Sequence, residues 1–240
     1  MRQARFIFVV LAYAVFCVGV SAPVSANAET LSKNDQKYLK GAFKYAVKNE
    51  WKRARATAKR IKDPLARKIV RYFDLERLGT TASFSELSSF INANPHWPSM
   101  KRLKRRAEDA MKDDLPPETV LEWFGDDDPV STAGWVQLSR ALLETGQQDR
   151  AQEVIRDTWI NRNFAKRPEQ YFYKRYRRYL TKEDHLQRLD RLLWEGKNWP
   201  VRRMLWKVNS KYRAVAEARM MLRHRFGNVD AAIAKVPKSQ

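Results

Sequence analysis

The sequence predicts an all-α fold, an α-solenoid of about a dozen helices stacked as helical hairpins. Three observations carry that expectation. Glycine is scarce, at 8 residues in 240, and the β-branched alternation of strands is nowhere sustained. Apolar residues recur instead at spacings of three and four, the period of an amphipathic helix. The breaks between these segments are short: Asp63-Pro64, "NPHWP", "DLPPE", "GDDDP", "RPE" and "NWP", each rich in residues that stop or start helices.

The chain opens on "MRQAR", then the uncharged run Phe6 to Val20, then "SAPVSANA". A basic start, a short apolar middle and a small-x-small end are the parts of a secretory signal peptide, predicted over residues 1–28 with cleavage after Ala28. The apolar run is shorter than the roughly 20 residues that span a bilayer. Cys17 follows the bulky Phe16, which does not suit a lipoprotein signal. It is also the single cysteine, so the exported chain has no disulfide, no thiolate nucleophile and no cysteine-ligated metal. Residues 29–240 then make up one long α-superhelical domain or two modest ones.

Within that region, "YLKGAFKYAV" places Leu39, Phe43 and Val47 on one face. "LARKIVRYFDLERL" does so with Leu65, Ile69, Phe73 (or Tyr72) and Leu75 with Leu78, and "MKRLKRRAEDAM" with Met100, Leu103, Ala107 and Met111. "NEWKRA", "GQQDRA" and "GNVDAA" each set a turn residue (Asn49, Gly146, Gly227) five positions before an alanine (Ala54, Ala151, Ala232). That is the signature of a helical hairpin: a C-terminal cap, a turn, then a small residue where the second helix packs closely on the first. In "TKEDHLQRLDRLLW", Thr181 and Asp184 form a capping box, ahead of an apolar stripe through Leu186, Leu189, Leu193 and Trp194.

The net charge is +20, and loss of Arg2 and Arg5 with the leader leaves +18. Such an excess points to an anionic partner. Export removes nucleic acid from the candidates and leaves carboxylate-bearing wall polymer, acidic headgroups and lipopolysaccharide. The densest basic segments are "MKRLKRR", with Lys101, Arg102, Lys104 and Arg105, and "YFYKRYRRYL", with Lys174, Arg175, Arg177 and Arg178. Projected on one helix, Phe172, Tyr173, Tyr176, Tyr179 and Leu180 of the second segment share an arc of roughly 120°. Most of the aromatics then form the buried face, and the cations, together with Tyr171, the wet one: a solvated basic face, or one whose anion is a wall carboxylate.

Candidate chemistry is sparse. His96, His185 and His224 share no helical face at short spacing, so a two-histidine metal site is not expected. Asp126, Asp127 and Asp128 sit on a turn ahead of a helix, where a solvated acidic loop accounts for them without a glycosidase pair. No phosphate loop or nucleophile motif occurs, and no cofactor, metal or catalytic residue is assigned. Eight tryptophans remain. They suit the wedges between hairpins, with a few available to stack on sugar rings.

Several collinear segments, "DPLARKIVRYFDL", "FINANPHWP", "LKRRAE", "VLEWFGDDDPVSTAGWVQLSRALLETG", "DHLQRLDRLLWEG" and "AEARMMLRHRFGNVDAAIAKVP", give the chain a resemblance. From about Asp35 to Pro237 it resembles the N-terminal superhelical part of soluble lytic murein transglycosylases. The resemblance implies a periplasmic, peptidoglycan-directed protein of the Gram-negative envelope. Family members cleave the glycosidic bond between N-acetylmuramic acid and N-acetylglucosamine and leave a 1,6-anhydro end. Their catalytic glutamate lies in a separate lysozyme-like domain, in a Glu-Ser context followed by a glycine- and glutamine-containing motif. This sequence holds no Glu-Ser pair, so no catalytic residue carries over. "GNVDAAIAKVPKSQ" also lacks the polar cap that closes a solenoid, which reads as an incomplete superhelix. The expectation is a module that binds or positions peptidoglycan, or docks other periplasmic wall proteins, without catalysis of its own. The alternative is a stand-alone periplasmic scaffold.

Overall fold

A computed structural model describes residues 31–224 and 227–238; the leader expected over 1–28 lies outside them. The described residues are all-helical, with 13 α-helices and no strands. In chain order the helices are α1 (Lys33–Val47), α2 (Trp51–Ala58), α3 (Pro64–Glu76), α4 (Phe84–Ala93), α5 (Met100–Asp109), α6 (Pro117–Phe124), α7 (Thr132–Glu144), α8 (Gln148–Asn161), α9 (Lys166–Tyr176), α10 (Lys182–Trp194), α11 (Asn198–Met204), α12 (Ser210–His224) and α13 (Val229–Ile233). Short 3-10 turns follow α9 at Arg177–Tyr179 and α11 at Leu205–Lys207. The chain divides into two compact units. The first holds residues 31–82 and 97–106, and the second residues 83–96 and 107–238.

Helix starts follow the side-chain chemistry at their ends. The Asp63 carboxylate accepts the Ala66 N–H at 2.6 Å with Pro64 at the first helical position, and Ser83 and Thr181 form capping boxes with Glu86 and Asp184. "RPE" and "NWP", expected as breaks, lie inside the first turns of α9 and α11. Proline is tolerated there because the first-turn N–H groups have no intrahelical acceptor.

The hairpin expectation holds in its first two instances. The Asn49 and Glu50 N–H groups close back on the Ala46 and Tyr45 carbonyls, and those of Gly146 and Gln147 on Leu143 and Leu142, at 2.9 to 3.2 Å. This paired closure is a Schellman motif. Gly196 and Lys197 repeat it on Leu193 and Leu192. Asn49, Gly146 and Gly196 all have positive φ, and the residue five places on is fully buried in each case: Ala54, Ala151 and Val201. The Gly196 hairpin escapes the sequence pattern because valine, not alanine, fills its contact position. In "GNVDAA" the left-handed residue is Asn228, α13 is a single short turn, and Ala232 is only half-buried.

Unit one is built on Ala42, Ala58, Ile61, Ala66 and Val70, with Tyr38, Leu39 and Phe43 packed around them. Val47 and Leu65, expected on the inner faces of α1 and α3, are exposed, and Leu78 beyond α3 is 79% exposed. Small alanines rather than the large residues line the close approach. The buried Asp74 gathers three arginines: Arg55 at 3.0 Å, Arg71 at 3.4 Å and Arg77 at 2.9 Å.

Unit two holds two adjoining cores. One centres on Phe124, Trp135, Leu138 and Leu142, and the other on Trp159, Phe172, Leu192 and Met204. Glu108, buried at the end of α5, accepts the Val130 N–H at 2.9 Å on one carboxylate oxygen, while the other has no partner. Burial pushes this carboxyl above the usual range. A Cβ on Gly134 would overlap that carboxylate and come within 2.9 Å of the buried Pro129. Gly134→Ala is therefore expected to cost about 2 kcal/mol, by overpacking a site that has no room to yield. Gly227, with open space around it, should accept alanine within about 0.5 kcal/mol. Urea midpoints of the two variants check the contrast.

Candidate functional site

The two predicted basic segments fall in different units. In α5, Lys101, Arg102 and Arg105 are exposed and Lys104 is half-buried; Arg102 donates to Glu76 at 2.6 Å. In unit two, Phe172 and Tyr176 are buried and Lys174, Arg175, Arg177 and Arg178 exposed, as projected. The segment is not one helix, however. The α-helix ends at Tyr176, and Tyr179 and Leu180, on and after the 3-10 turn, are only half-buried. Arg175 is also engaged: it donates to the Tyr171 hydroxyl at 2.9 Å and to Glu144 at 3.4 Å, and Tyr171 donates to Asp113 at 2.6 Å. Arg178 donates to the Tyr179 hydroxyl at 2.7 Å. The cations of the two segments left facing solvent with neither an acidic nor a tyrosine partner among the described residues are Lys174 and Arg177, with Lys101 and Arg105 in the other unit.

A cluster that sequence reasoning missed lies inside unit two. Glu169 of α9, 3% exposed, takes both Arg203 Nε and Nη2 at 2.9 Å and Arg188 Nη2 at 3.1 Å. Arg188 is fully buried beneath the Trp159 and Phe164 rings, and its Nη1 donates to the Trp159 and Arg162 carbonyls. Burial lowers this guanidinium to about 10. The Lys207 ammonium sits 3.1 Å from the centre of the Tyr173 ring. Three cations thus surround one carboxylate. Asp184, also buried, is matched by Arg156 at 2.9 Å.

His185 belongs to this cluster. Its Nδ1 accepts the Trp159 indole N–H at 3.1 Å, which fixes the neutral ring with its proton on Nε2. Burial, then Lys207 and Arg188, lower its pKa, against the opposing pull of Asp184. With the folded value below the unfolded one near 6.5, the neutral ring stabilises the fold above that pH. The contribution is lost as pH falls through the folded value. Stability is therefore expected to decline between pH 7 and 5, and His185→Gln, which can still accept the indole N–H, should flatten that decline. Chemical denaturation across the pH range measures both slopes.

The surface of unit two carries a second unforeseen feature. Trp194, Trp199 and Trp206 are 70%, 74% and 80% exposed, while Trp159 is fully buried. Each exposed indole has an arginine over its ring: Arg219 at 5.0 Å, Arg202 at 5.7 Å and Arg213 at 4.6 Å. The Gly196 turn brings Trp194 and Trp199 to one end of the α10–α11 hairpin. The end of α12 joins them there, with Arg223 donating to the Trp194 carbonyl at 2.9 Å and His224 Nε2 lying 2.6 Å from Asn198 Oδ1. Three of the largest side chains in unit two are thus left in water. An arginine stacked on each keeps the ring ordered and sets a cation beside it.

The acidic loop Asp126–Asp128 is exposed, and the described residues hold no cluster of three or more metal-ligating side chains. Among them no helix is long and apolar enough to cross a membrane. The chain was compared with protein-family models, curated proteins and solved structures, and nothing matches it. The functional reading therefore rests on the residues themselves.

Proposed function

We propose that this chain is a non-catalytic, peptidoglycan-binding helical module of the bacterial envelope, exported to the periplasm and akin to the helical part of soluble lytic murein transglycosylases. One observation carries the reading: three exposed tryptophans in unit two, each beside an arginine. An indole face packs against the C–H face of a sugar ring, and the adjacent guanidinium meets carboxylates of the same polymer. The strongly positive net charge, +20 for the whole chain and two fewer once the leader with Arg2 and Arg5 is lost, adds long-range attraction to an anionic wall. The 240 residues hold no Glu-Ser pair, so no residue here is assigned to cleavage.

Sedimentation with purified sacculi tests the reading. Saturable binding that survives physiological salt, with no release of anhydro-muropeptides, is expected. Failure to sediment would remove the binding role, and anhydro-muropeptide release would overturn the non-catalytic one.

A periplasmic protein scaffold is the second reading. A cleft of about 110 Å³ between α12 and α13, lined by Ala214, Met221, Ala231 and Lys235 beside the exposed Leu222 and Ile233, favours it. Recovery of one stoichiometric envelope protein, lost on Met221→Lys, would select this reading over the first.

A further inference from the structure

We propose that Lys207, half-buried beside the charge cluster in unit two, forms an oxyanion-binding site that takes a carboxylate or phosphate group. The cluster has more donors and more positive charge than its own acceptors absorb. Glu169 is fully used, with one oxygen on Arg203 Nε and the other shared by Arg203 Nη2 and Arg188 Nη2. Arg188 Nε is buried and has no acceptor. Lys207 is half-buried, and its three N–H donors find only the π face of Tyr173, 3.1 Å from the ring centre, with no carboxylate or carbonyl among the described residues.

His185 supplies a further donor. Because its Nδ1 accepts from Trp159, its Nε2 carries the proton. The ring lies 5.8 Å from Tyr173, the same ring that seats Lys207. Two donor side chains of different elements thus flank one aromatic, α10 giving His185 and the 3-10 turn giving Lys207.

A half-buried ammonium without an anion is costly to keep, since its lost hydration is repaid only in part by a π face. Burial and the Arg188 charge accordingly hold Lys207 below the usual lysine range, against the pull of Glu169. An oxyanion on Lys207 supplies the missing acceptor and offsets the surplus of three cations over one carboxylate. Charge-assisted N–H···O⁻ bonds of this kind are among the stronger ones available. The site uses side chains other than the exposed tryptophans, although Trp206 shares the 3-10 turn of Lys207, and it stands whether or not the chain binds glycan.

Calorimetric titration of the whole chain with inorganic phosphate, and separately with acetate, tests the site at fixed ionic strength set by sodium chloride. Saturable binding near one equivalent is expected for at least one probe, phosphate marking a tetrahedral ligand and acetate a planar one. Lys207→Met should weaken it at least 10-fold, while Lys207→Arg should retain it. Circular dichroism establishes that both variants are folded, and the Trp194 and Trp199 alanine variants, which lie off the turn of Lys207, should titrate like the parent. No saturable heat with either probe, or equal affinity in Lys207→Met and the parent, would overturn the proposal.

Discussion

Replacing Glu169 with alanine is expected to lower stability by about 3 to 5 kcal/mol, the usual cost of removing one partner of a buried ion pair. For a chain of this size that is a fall of roughly 10 °C in Tm. The carboxylate is nearly inaccessible, and it holds the side chains of Arg188 and Arg203. Without it Arg188, fully buried, keeps only carbonyl partners, and Lys207 loses the one negative charge that favours its ammonium. The loss should persist in high salt, because buried charges are screened little. Glu169→Gln retains an accepting oxygen and should recover part of the deficit. Urea unfolding of the three proteins followed by circular dichroism reads these differences directly.

Asp74 should produce a comparable effect in unit one. It is 1% exposed and receives Arg55, Arg71 and Arg77. Those arginines are partly exposed, so solvent offsets some of the charge left behind. Asp74→Ala is accordingly expected to cost about 2 to 3 kcal/mol. Breaking the solvent-screened Glu50–Arg53 pair with Glu50→Ala should leave the urea midpoint close to that of the parent. If the two variants proved equally stable, the gathering of cations by a buried acid would be dispensable. A strongly basic chain fits this device twice, with a scarce acid buried among several arginines in each unit.

The fold class and the hairpin turns were legible in the sequence because both depend on local chemistry. Helical period, proline at first turns and Ser83, Asp63 or Thr181 as caps act over a few residues. The choice of inner face was less legible. In α10 the expected stripe ran through Leu186, Leu189, Leu193 and Trp194, whereas the buried positions are Asp184, His185, Arg188, Leu189, Leu192 and Leu193. Counting apolar residues alone rotates the stripe, because it treats Arg188 and His185 as solvent-facing. Arg188 stands four residues before Leu192 and next to Leu189, and that placement was the available signal. The partner that allows its burial, Glu169, lies on another helix.

The tryptophans divide for a similar reason. Trp159 and Trp194 both end helical runs, yet one is fully buried and the other 70% exposed. The difference is tertiary: Trp159 meets Phe172, Tyr173 and His185 from neighbouring helices, while Trp194 meets the Arg219 guanidinium. The basic segments were legible as wet faces. Which of their cations remain available was not, since Arg175 and Arg178 are engaged by tyrosines of their own segment.

The most direct measurement of the central claim compares sacculus affinity for three proteins: the parent, Trp194→Ala/Trp199→Ala/Trp206→Ala, and Lys174→Ala/Arg177→Ala. All substituted side chains are exposed, so folding should be retained and confirmed by unchanged urea midpoints. The proposed function predicts a loss of about 30-fold or more for the tryptophan variant, of the size expected for interface aromatics. It predicts a milder, salt-dependent loss for the basic variant. Undiminished binding by the tryptophan variant, at any salt concentration, would contradict it.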